Sequence, residues 1–215
     1  NKGLVGTHEA GAQYRIEING DKINYYVTKP GGVTELLYTS AKSDVSETYY
    51  VDVALRTPGA QVKDMRIISG SAAARSDDKM QTTNYIYDDL GRVTHVIDAM
   101  GGVTENEYDA LGNVVSTSRY DSSLSLGMTH NEAIIDGNTV TKKDNTSNDW
   151  DQGAGVCSYE QIIGDGFVEF TTDQSGKSFM VGLNKNPSTN RVIANYYTEL
   201  EYALYISVND LYIYE

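Results

Sequence analysis

The last and first residues of this chain, read in that order, have the pattern of one β-hairpin, and this constrains the fold more than any internal motif. The last residues, among them Leu211, Ile213 and Glu215, alternate between apolar and polar side chains and stop without a turn residue. The chain opens with a three-residue turn signal from Asn1 to Gly3, and a further strand-like segment follows. Written from Glu215 into Asn1, the two ends give strand, short loop and strand, which is the order of a hairpin.

Three arrangements satisfy this pattern. Both ends are frayed strands, or the two halves of a single chain close on each other, or the chain is one unit of a head-to-tail array. We favour the array, in which the last strand of one copy is completed by the first strand of the next, either within one polypeptide or between separate chains. The chain lacks an initiating Met and a signal-like segment, so we interpret it as a processed or excised segment.

Composition predicts an all-β chain. With 17 Tyr and 20 Gly but only 3 Pro in 215 residues, strands are favoured and turns are built from glycine and Asx residues. No long segment has helical periodicity, and the best candidate, Ala72 to Arg75, is short.

Charge and cysteine content exclude several classes of function. The net charge of −13 leaves no basic stripe for nucleic acid or anionic lipid, and no apolar run is long enough for membrane insertion. The single Cys157 forms no intramolecular disulfide, and we expect it to be a small buried hydrophobe.

The chain divides into three segments. Residues 4–69 and 134–215 are meanders of alternating strands, and neither alone has enough strands for two packed sheets. We therefore predict one β-sandwich of the jelly-roll type that is assembled from both of them. The glycine-containing stretches Gly127 to Asn131 and Gly70 to Ser76 are predicted to be linkers between separately packed bodies.

An internal repeat occupies residues 82–121. Seven residues that begin at Tyr87 recur 21 residues later at Tyr108, and a fixed period near twenty is typical of arrays whose units pack on their neighbours. In each copy the Asp is placed to bond the turn backbone and the Gly to supply a positive φ. The shared positions are Tyr87, Asp88, Gly91 and Arg92 in the first copy, and Tyr108, Asp109, Gly112 and Asn113 in the second.

These two copies, with Asp98, Gly101 and Thr104 between them, resemble the YD repeat of RHS and teneurin-type proteins. The resemblance implies β-hairpin strips that wind into a spiral or shell in large secreted or surface proteins.

The flanking segments resemble concanavalin A-like jelly-roll modules of bacterial surface proteins. The segments at 150–154, 164–170, 180–183 and 200–205 are similar to the front half of such a module. Those at 14–17, 23–26, 37–40 and 50–55 are similar to its back half. The order here is back half, YD pair, front half, which implies a permuted module.

The sequence has no pattern that favours catalysis. His8, His95 and His130 are scattered and are expected at the surface, Ser158 lacks a nucleophile-elbow context, and phosphate-binding glycine loops are absent. We therefore predict that the chain is not an enzyme and needs no cofactor.

Two weaker binding patterns remain. The oxygen-rich loop from Asp144 to Asp149 is a candidate calcium site, but it lacks alternating ligand spacing, so we favour a solvated turn. Trp150 and the tyrosine-rich strands fill a core or form a face on which sugars stack, and the phase of the tyrosines favours the core.

We therefore expect a non-enzymatic structural unit of an extracellular filament or giant repeat adhesin at the cell surface, joined end to end with its copies. The alternative is a carbohydrate-binding, lectin-like module whose partners are glycans.

Overall fold

The computed structural model describes residues 2–41, 47–69, 84–88, 90–97, 103–120, 126–128, 132–150, 154–185 and 200–215. Within these ranges every regular element is a β-strand. The described residues therefore contain no helix that could span a membrane. The strands are β1 Gly3–Thr7, β2 Ala12–Asn19, β3 Lys22–Thr28, β4 Thr34–Ala41, β5 Thr48–Leu55, β6 Gln61–Ser69, β7 Asn84–Tyr87, β8 Val93–Ile97, β9 Val103–Tyr108, β10 Val114–Tyr120, β11 Leu126–Met128, β12 Ala133–Asp136, β13 Thr139–Lys142, β14 Ala154–Ile163, β15 Gly166–Thr172, β16 Lys177–Asn184, β17 Tyr202–Val208 and β18 Asp210–Tyr214.

The strands form three antiparallel sheets. Sheet I has the order β1-β18-β17-β16-β5-β14-β11, and sheet II has the order β12-β13-β6-β15-β2-β3-β4. The repeat sheet contains β10-β9-β8-β7 and shares no strand pairing with the other two sheets in the described residues. Sheets I and II each combine strands from before and after the repeat. For example, β5 lies between β16 and β14, and β15 lies between β6 and β2.

The buried faces of sheets I and II join in one hydrophobic core, which confirms the predicted all-β sandwich. Alternation along the strands produces this core, since Tyr14, Ile16 and Ile18 of β2 are buried while the side chains between them are partly exposed. The tyrosines contribute as core aromatics: the Tyr14 ring stacks on Phe170 with centroids 5.4 Å apart. Each large apolar side chain buried in this way stabilises the fold by about 1.5–3 kcal/mol.

One predicted linker is wrong in part. Residues Leu126 to Met128 form β11, which pairs with β14 in the register Gly127↔Cys157, so this stretch begins as an edge strand of sheet I. A short glycine-containing strand gives no alternation strong enough to be recognised in sequence. The other predicted linker, Gly70 to Ser76, and the helix candidate Ala72 to Arg75 lie outside the described residues.

Candidate functional site

The first and last strands of the chain lie side by side. β1 pairs with β18 in the registers Gly3↔Ile213, Leu4↔Tyr212 and Thr7↔Asp210, and the amide of Lys2 donates to the carbonyl of Ile213 over 2.9 Å. The two halves therefore close on each other within this single chain, which is one of the arrangements that the sequence left open. Asn1 lies outside the described residues.

The side chain of Glu215 fixes this junction to the opposite sheet. Its Oε1 accepts hydrogen bonds from the hydroxyl of Tyr25, at 3.2 Å, and from the hydroxyl of Ser40. Its Oε2 lies 3.3 Å from the ammonium of Lys2. Burial, reinforced by the Glu215 carboxylate, raises the pKa of Tyr25, so the phenol keeps its proton and acts as a donor. The last residue thus ties sheet I to β3 and β4 of sheet II.

β1 itself is lightly held. It is an edge strand, Leu4 is 59% exposed, and only Val5 packs partly against the core. The register also shifts between Leu4 and Gly6, which interrupts the ladder with β18. The pairing therefore depends mainly on backbone hydrogen bonds.

His8 anchors the chain immediately after β1, so the expectation of a surface histidine is wrong for this residue. It is buried, its amide donates to the carbonyl of Asn209 over 2.7 Å, and its Nε2 lies 2.6 Å from the carbonyl of Gln174. A carbonyl only accepts, so Nε2 carries the proton, and Nδ1 accepts from the hydroxyl of Tyr14 at 2.6 Å. Burial lowers the pKa of His8 and raises the pKa of Tyr14 to about 12.

No sequence pattern indicates this anchor, because the partners of His8 are up to 166 residues away in the chain. The side chain of His95 and the whole of His130 lie outside the described residues.

The two repeat turns have one shared geometry. In the first turn, Asp88 Oδ1 accepts from the amides of Leu90, at 3.0 Å, and Arg92, at 2.9 Å, and Oδ2 accepts from Arg92 Nε at 2.7 Å. These bonds, led by the Arg92 amide, lower the pKa of the Asp88 carboxyl. Gly91 has φ +76°, a backbone conformation that side chains with a Cβ rarely adopt.

The second turn repeats these contacts with an amide in place of the guanidinium. Asp109 Oδ1 accepts from the amides of Leu111, at 2.9 Å, and Asn113, at 2.8 Å, and Oδ2 accepts from Asn113 Nδ2 at 2.9 Å. The side chain of Asn113 is the main cause that lowers the pKa of Asp109. Gly112 has φ +86°.

The motif tyrosines differ in their surroundings. Tyr108 is half-buried: its hydroxyl donates to the carbonyl of Val93 over 2.8 Å, and the Arg92 guanidinium lies 4.6 Å from its ring centroid. Tyr87, at the same position of the first copy, is 58% exposed. The second copy therefore packs on the first through Tyr108, while the corresponding surface of the first copy faces outward.

The calcium candidates Asp144 and Asp149 lie in the loop between β13 and β14. Both are exposed, and no group of three metal-ligating side chains occurs in the described part of the chain. A lysine instead brings a positive charge to this loop: the ammonium of Lys142, fully buried, donates to the carbonyls of Arg56, at 2.7 Å, and Asp149, at 3.2 Å. Burial lowers the pKa of Lys142.

Trp150 lies on the outer face of sheet I, against the cluster of Ala54, Met180, Leu200 and Ala203. Its ring centroid is 5.7 Å from that of Tyr205, which is in turn 5.7 Å from that of Tyr212. The three half-buried rings form a row across β17 and β18, and we call this row the aromatic row.

A buried carboxylate organises the outer face of sheet II. Glu169 on β15 accepts from Arg15 Nη2 at 2.7 Å, from Arg66 Nε at 2.6 Å and from Gln13 Nε2 at 2.9 Å. The guanidinium of Arg15 also covers the ring of Phe167, 4.5 Å from its centroid. No local pattern in the sequence indicates this group, because its residues come from three strands that are distant in the chain.

Comparison with known proteins agrees with the repeat. A family model described as RHS Repeat matches residues 87–122, and no curated protein matches the chain. RHS repeats are typical of extracellular and cell-surface proteins. The segment that contains both motif turns is therefore similar to RHS repeats.

Proposed function

We propose that this chain is a non-enzymatic structural unit of an extracellular filament or giant repeat adhesin, whose copies are joined end to end from Glu215 to Asn1. The pairing of β1 with β18 is the observation that carries the proposal. The RHS repeat supports the surface location. The proposal includes a jelly-roll sandwich of the concanavalin A-like type in permuted order, which the mixed strand origin of both sheets supports.

The junction has the dimensions of a hairpin loop. Gly3 is paired with Ile213, so Tyr214, Glu215, Asn1 and Lys2 are the residues between the paired positions once the ends are joined. Loops of four residues are common in hairpins. A peptide bond from Glu215 to the Asn1 of a following copy would therefore place the β1 of that copy beside the β18 of the preceding one.

Exchange of β1 between copies preserves the contacts of the closed chain. The same ladder, the same Lys2–Glu215 ion pair and the same partial burial of Val5 are formed whichever copy supplies β1. Little apolar area is lost when β1 leaves its own sheet, because Leu4 is already 59% exposed. Strand exchange of this kind is a low-cost route to assembly.

A cysteine pair across the junction tests the proposal. Leu4→Cys in one chain and Tyr212→Cys in another place thiols at registered positions, and the native Cys157 is buried. After the two variants are unfolded together, refolded and oxidised, we expect a disulfide-linked heterodimer on a non-reducing gel. The control mixture of Leu36→Cys with Tyr212→Cys should give none, since β4 lies in the other sheet. Recovery of monomers alone at every concentration would refute exchange.

The aromatic row supports a second candidate, a carbohydrate-binding module. Aromatic rings on a sheet face stack against the apolar faces of sugars. Trp150 is the single tryptophan, so quenching or a shift of its fluorescence in the presence of glycans identified on an array would report binding at this row. Tyr205→Ala should abolish the signal, whereas Tyr26→Ala on sheet II should not. An array without any bound glycan would exclude this candidate.

A further inference from the structure

We propose that the repeat sheet is a second, independent contact between copies, in which β10 of one chain pairs with β7 of the next. The occupant of each sheet edge is thus a second copy of this chain. The proposal goes beyond the end-to-end junction, because it involves neither β1 nor β18.

The contact between the two repeats inside the chain is the template. β8 of the first copy pairs with β9 of the second in the registers His95↔Glu105 and Val96↔Thr104. β10 is the counterpart of β8, and β7 is the counterpart of β9, each displaced by the 21-residue period. The same junction between chains therefore places Ser116 of one copy opposite Asn84 of the other.

The motif residues on the outer side of the repeat sheet, at β7 and β10, are exposed. The residues at the same motif positions on the inner strands, β8 and β9, are partly buried. Tyr108 is half-buried and donates to Val93, but Tyr87 is 58% exposed. Val93 is half-buried, but its counterpart Val114 is 52% exposed. These are the surfaces that a further repeat on either side would cover, with the hydroxyl of Tyr87 donating to the carbonyl of Val114 in the neighbouring chain.

The edges themselves are suited to pairing. In the described residues β7 pairs only with β8 and β10 only with β9, so each leaves one side of its backbone available. Proteins usually protect such edges with charges or proline. Neither strand contains a proline, and Arg119 on β10 is the single charged residue of the two, although the chain has a net charge of −13. Like charges therefore do not oppose each other along the proposed ladder.

The contact joins two different surfaces, so it is heterologous and propagates in one direction. It is weaker than the internal junction in its polar and cation–π contacts. Inside the chain Arg92 also donates to the carbonyl of Asp109, at 3.2 Å, and Asn106 donates to the carbonyl of Val93, at 3.3 Å. The counterpart of Asn106 is Tyr85, which has no amide donor in its side chain. Arg92 covers Tyr108 inside the chain, but the residue that would cover Tyr87 is Asn113, the counterpart of Arg92 in the second copy. This difference gives the proposal a substitution that should strengthen the contact.

Sedimentation equilibrium tests the proposal. We expect the wild-type chain to associate with increasing concentration, and Tyr87→Ser to weaken association about tenfold through the lost ring and hydrogen bond. Asn113→Arg should tighten it about two- to fivefold by restoring the cation–π contact. The first repeat shows that this turn accepts arginine. The control is Leu90→Ser, which removes an apolar side chain that is 78% exposed and lies outside the proposed contact. It should leave the association constant unchanged.

Cysteine cross-linking fixes the register. Chains with Ser116→Cys mixed with chains with Asn84→Cys should form heterodimers, and neither variant alone should dimerise through its new thiol. An unchanged association constant in both Tyr87→Ser and Asn113→Arg, or equal weakening by Leu90→Ser, would overturn the proposal. Association that is lost on blocking β1 but kept in Tyr87→Ser would overturn it while leaving the end-to-end junction intact.

Discussion

At the scale of single residues, a buried carboxylate joins three strands of sheet II. Glu169 is nearly inaccessible, and its two oxygens are shared by Arg15, Arg66 and Gln13. The arginine side chains remain about one-third exposed, with relative accessibilities of 37% for Arg15 and 33% for Arg66. The carboxylate therefore bears most of the burial, and water can still reach the arginines.

We predict that Glu169→Gln lowers the free energy of unfolding by about 1–3 kcal/mol. This is below the cost of breaking a fully buried ion pair, because the released arginines are partly solvated. The matched control is Glu17→Gln, since Glu17 faces the same Arg15 at 3.9 Å and is more exposed; it should change stability by less than about 0.5 kcal/mol. Urea denaturation measures the free energy of unfolding of the two variants, and an equal loss of stability in both would contradict the prediction.

His8 predicts a pH dependence. Its pKa is lowered in the folded chain by burial, so the unfolded chain takes up the proton first as the pH falls. Stability should therefore be fully present above the ordinary pKa of 6.5 and decline as the pH falls below it toward the folded value. The urea midpoint at pH 7.5 and at pH 5.5 measures this decline. His8→Gln should remove the part of this decline that comes from protonation of His8, whereas His95→Gln should leave the decline unchanged.

At the scale of elements, the turns and the oxygen-rich loop were predictable to different degrees. The Asp and Gly positions of the repeat turns follow from local rules, since the Asp bonds its own turn and Gly supplies the positive φ. The role of Lys142 does not, because its acceptor on Arg56 lies 86 residues away. Sequence patterns report contacts within a few residues, and they miss contacts that only the closed sandwich creates.

The repeat turns predict a local effect of substitution. Gly112→Ala forces a residue with a Cβ to adopt φ +86° and should destabilise the turn by about 1 kcal/mol. Hydrogen exchange of the amides of Leu111 and Asn113 should accelerate, while the amides of the sandwich core stay protected. Gly6→Ala is the control, because a Cβ on Gly6 meets open space and its φ is not positive. Unchanged exchange in Gly112→Ala would contradict the role of this glycine.

Substitution of Lys142, which holds the loop that ends at Trp150, should change the fluorescence of this tryptophan. Lys142→Met keeps the length of the side chain but leaves the carbonyls of Arg56 and Asp149 without this donor, at a cost of about 1–3 kcal/mol. Emission from Trp150 should shift to the red as the loop opens. The exposed ion pair of Lys29 with Glu35 supplies the control Lys29→Met, which should leave both stability and emission unchanged.

At the scale of the whole molecule, the closure of the chain decides how it assembles. The alternating strands and the hairpin split between the ends predicted a sandwich and its all-β class, which follow from burial on one face of each strand. Whether β1 pairs within its own chain or with a neighbour is not encoded in the contacts, because both arrangements contain the same ladder. The choice depends on how the copies are connected and on their concentration.

Joining the two ends into a circular chain should therefore stabilise the fold and prevent exchange of β1. Joining Glu215 to Asn1 by a peptide bond closes the four-residue loop between Ile213 and Gly3 and removes chain entropy from the unfolded state, which should stabilise the fold by about 3–5 kcal/mol. The circular chain cannot exchange β1, so association through the end-to-end junction should disappear, whereas any contact through the repeat sheet should persist. Thermal unfolding and sedimentation of the circular and linear chains measure both effects. A circular chain that is less stable than the linear one would mean that the two ends do not meet as β1 and β18 do here.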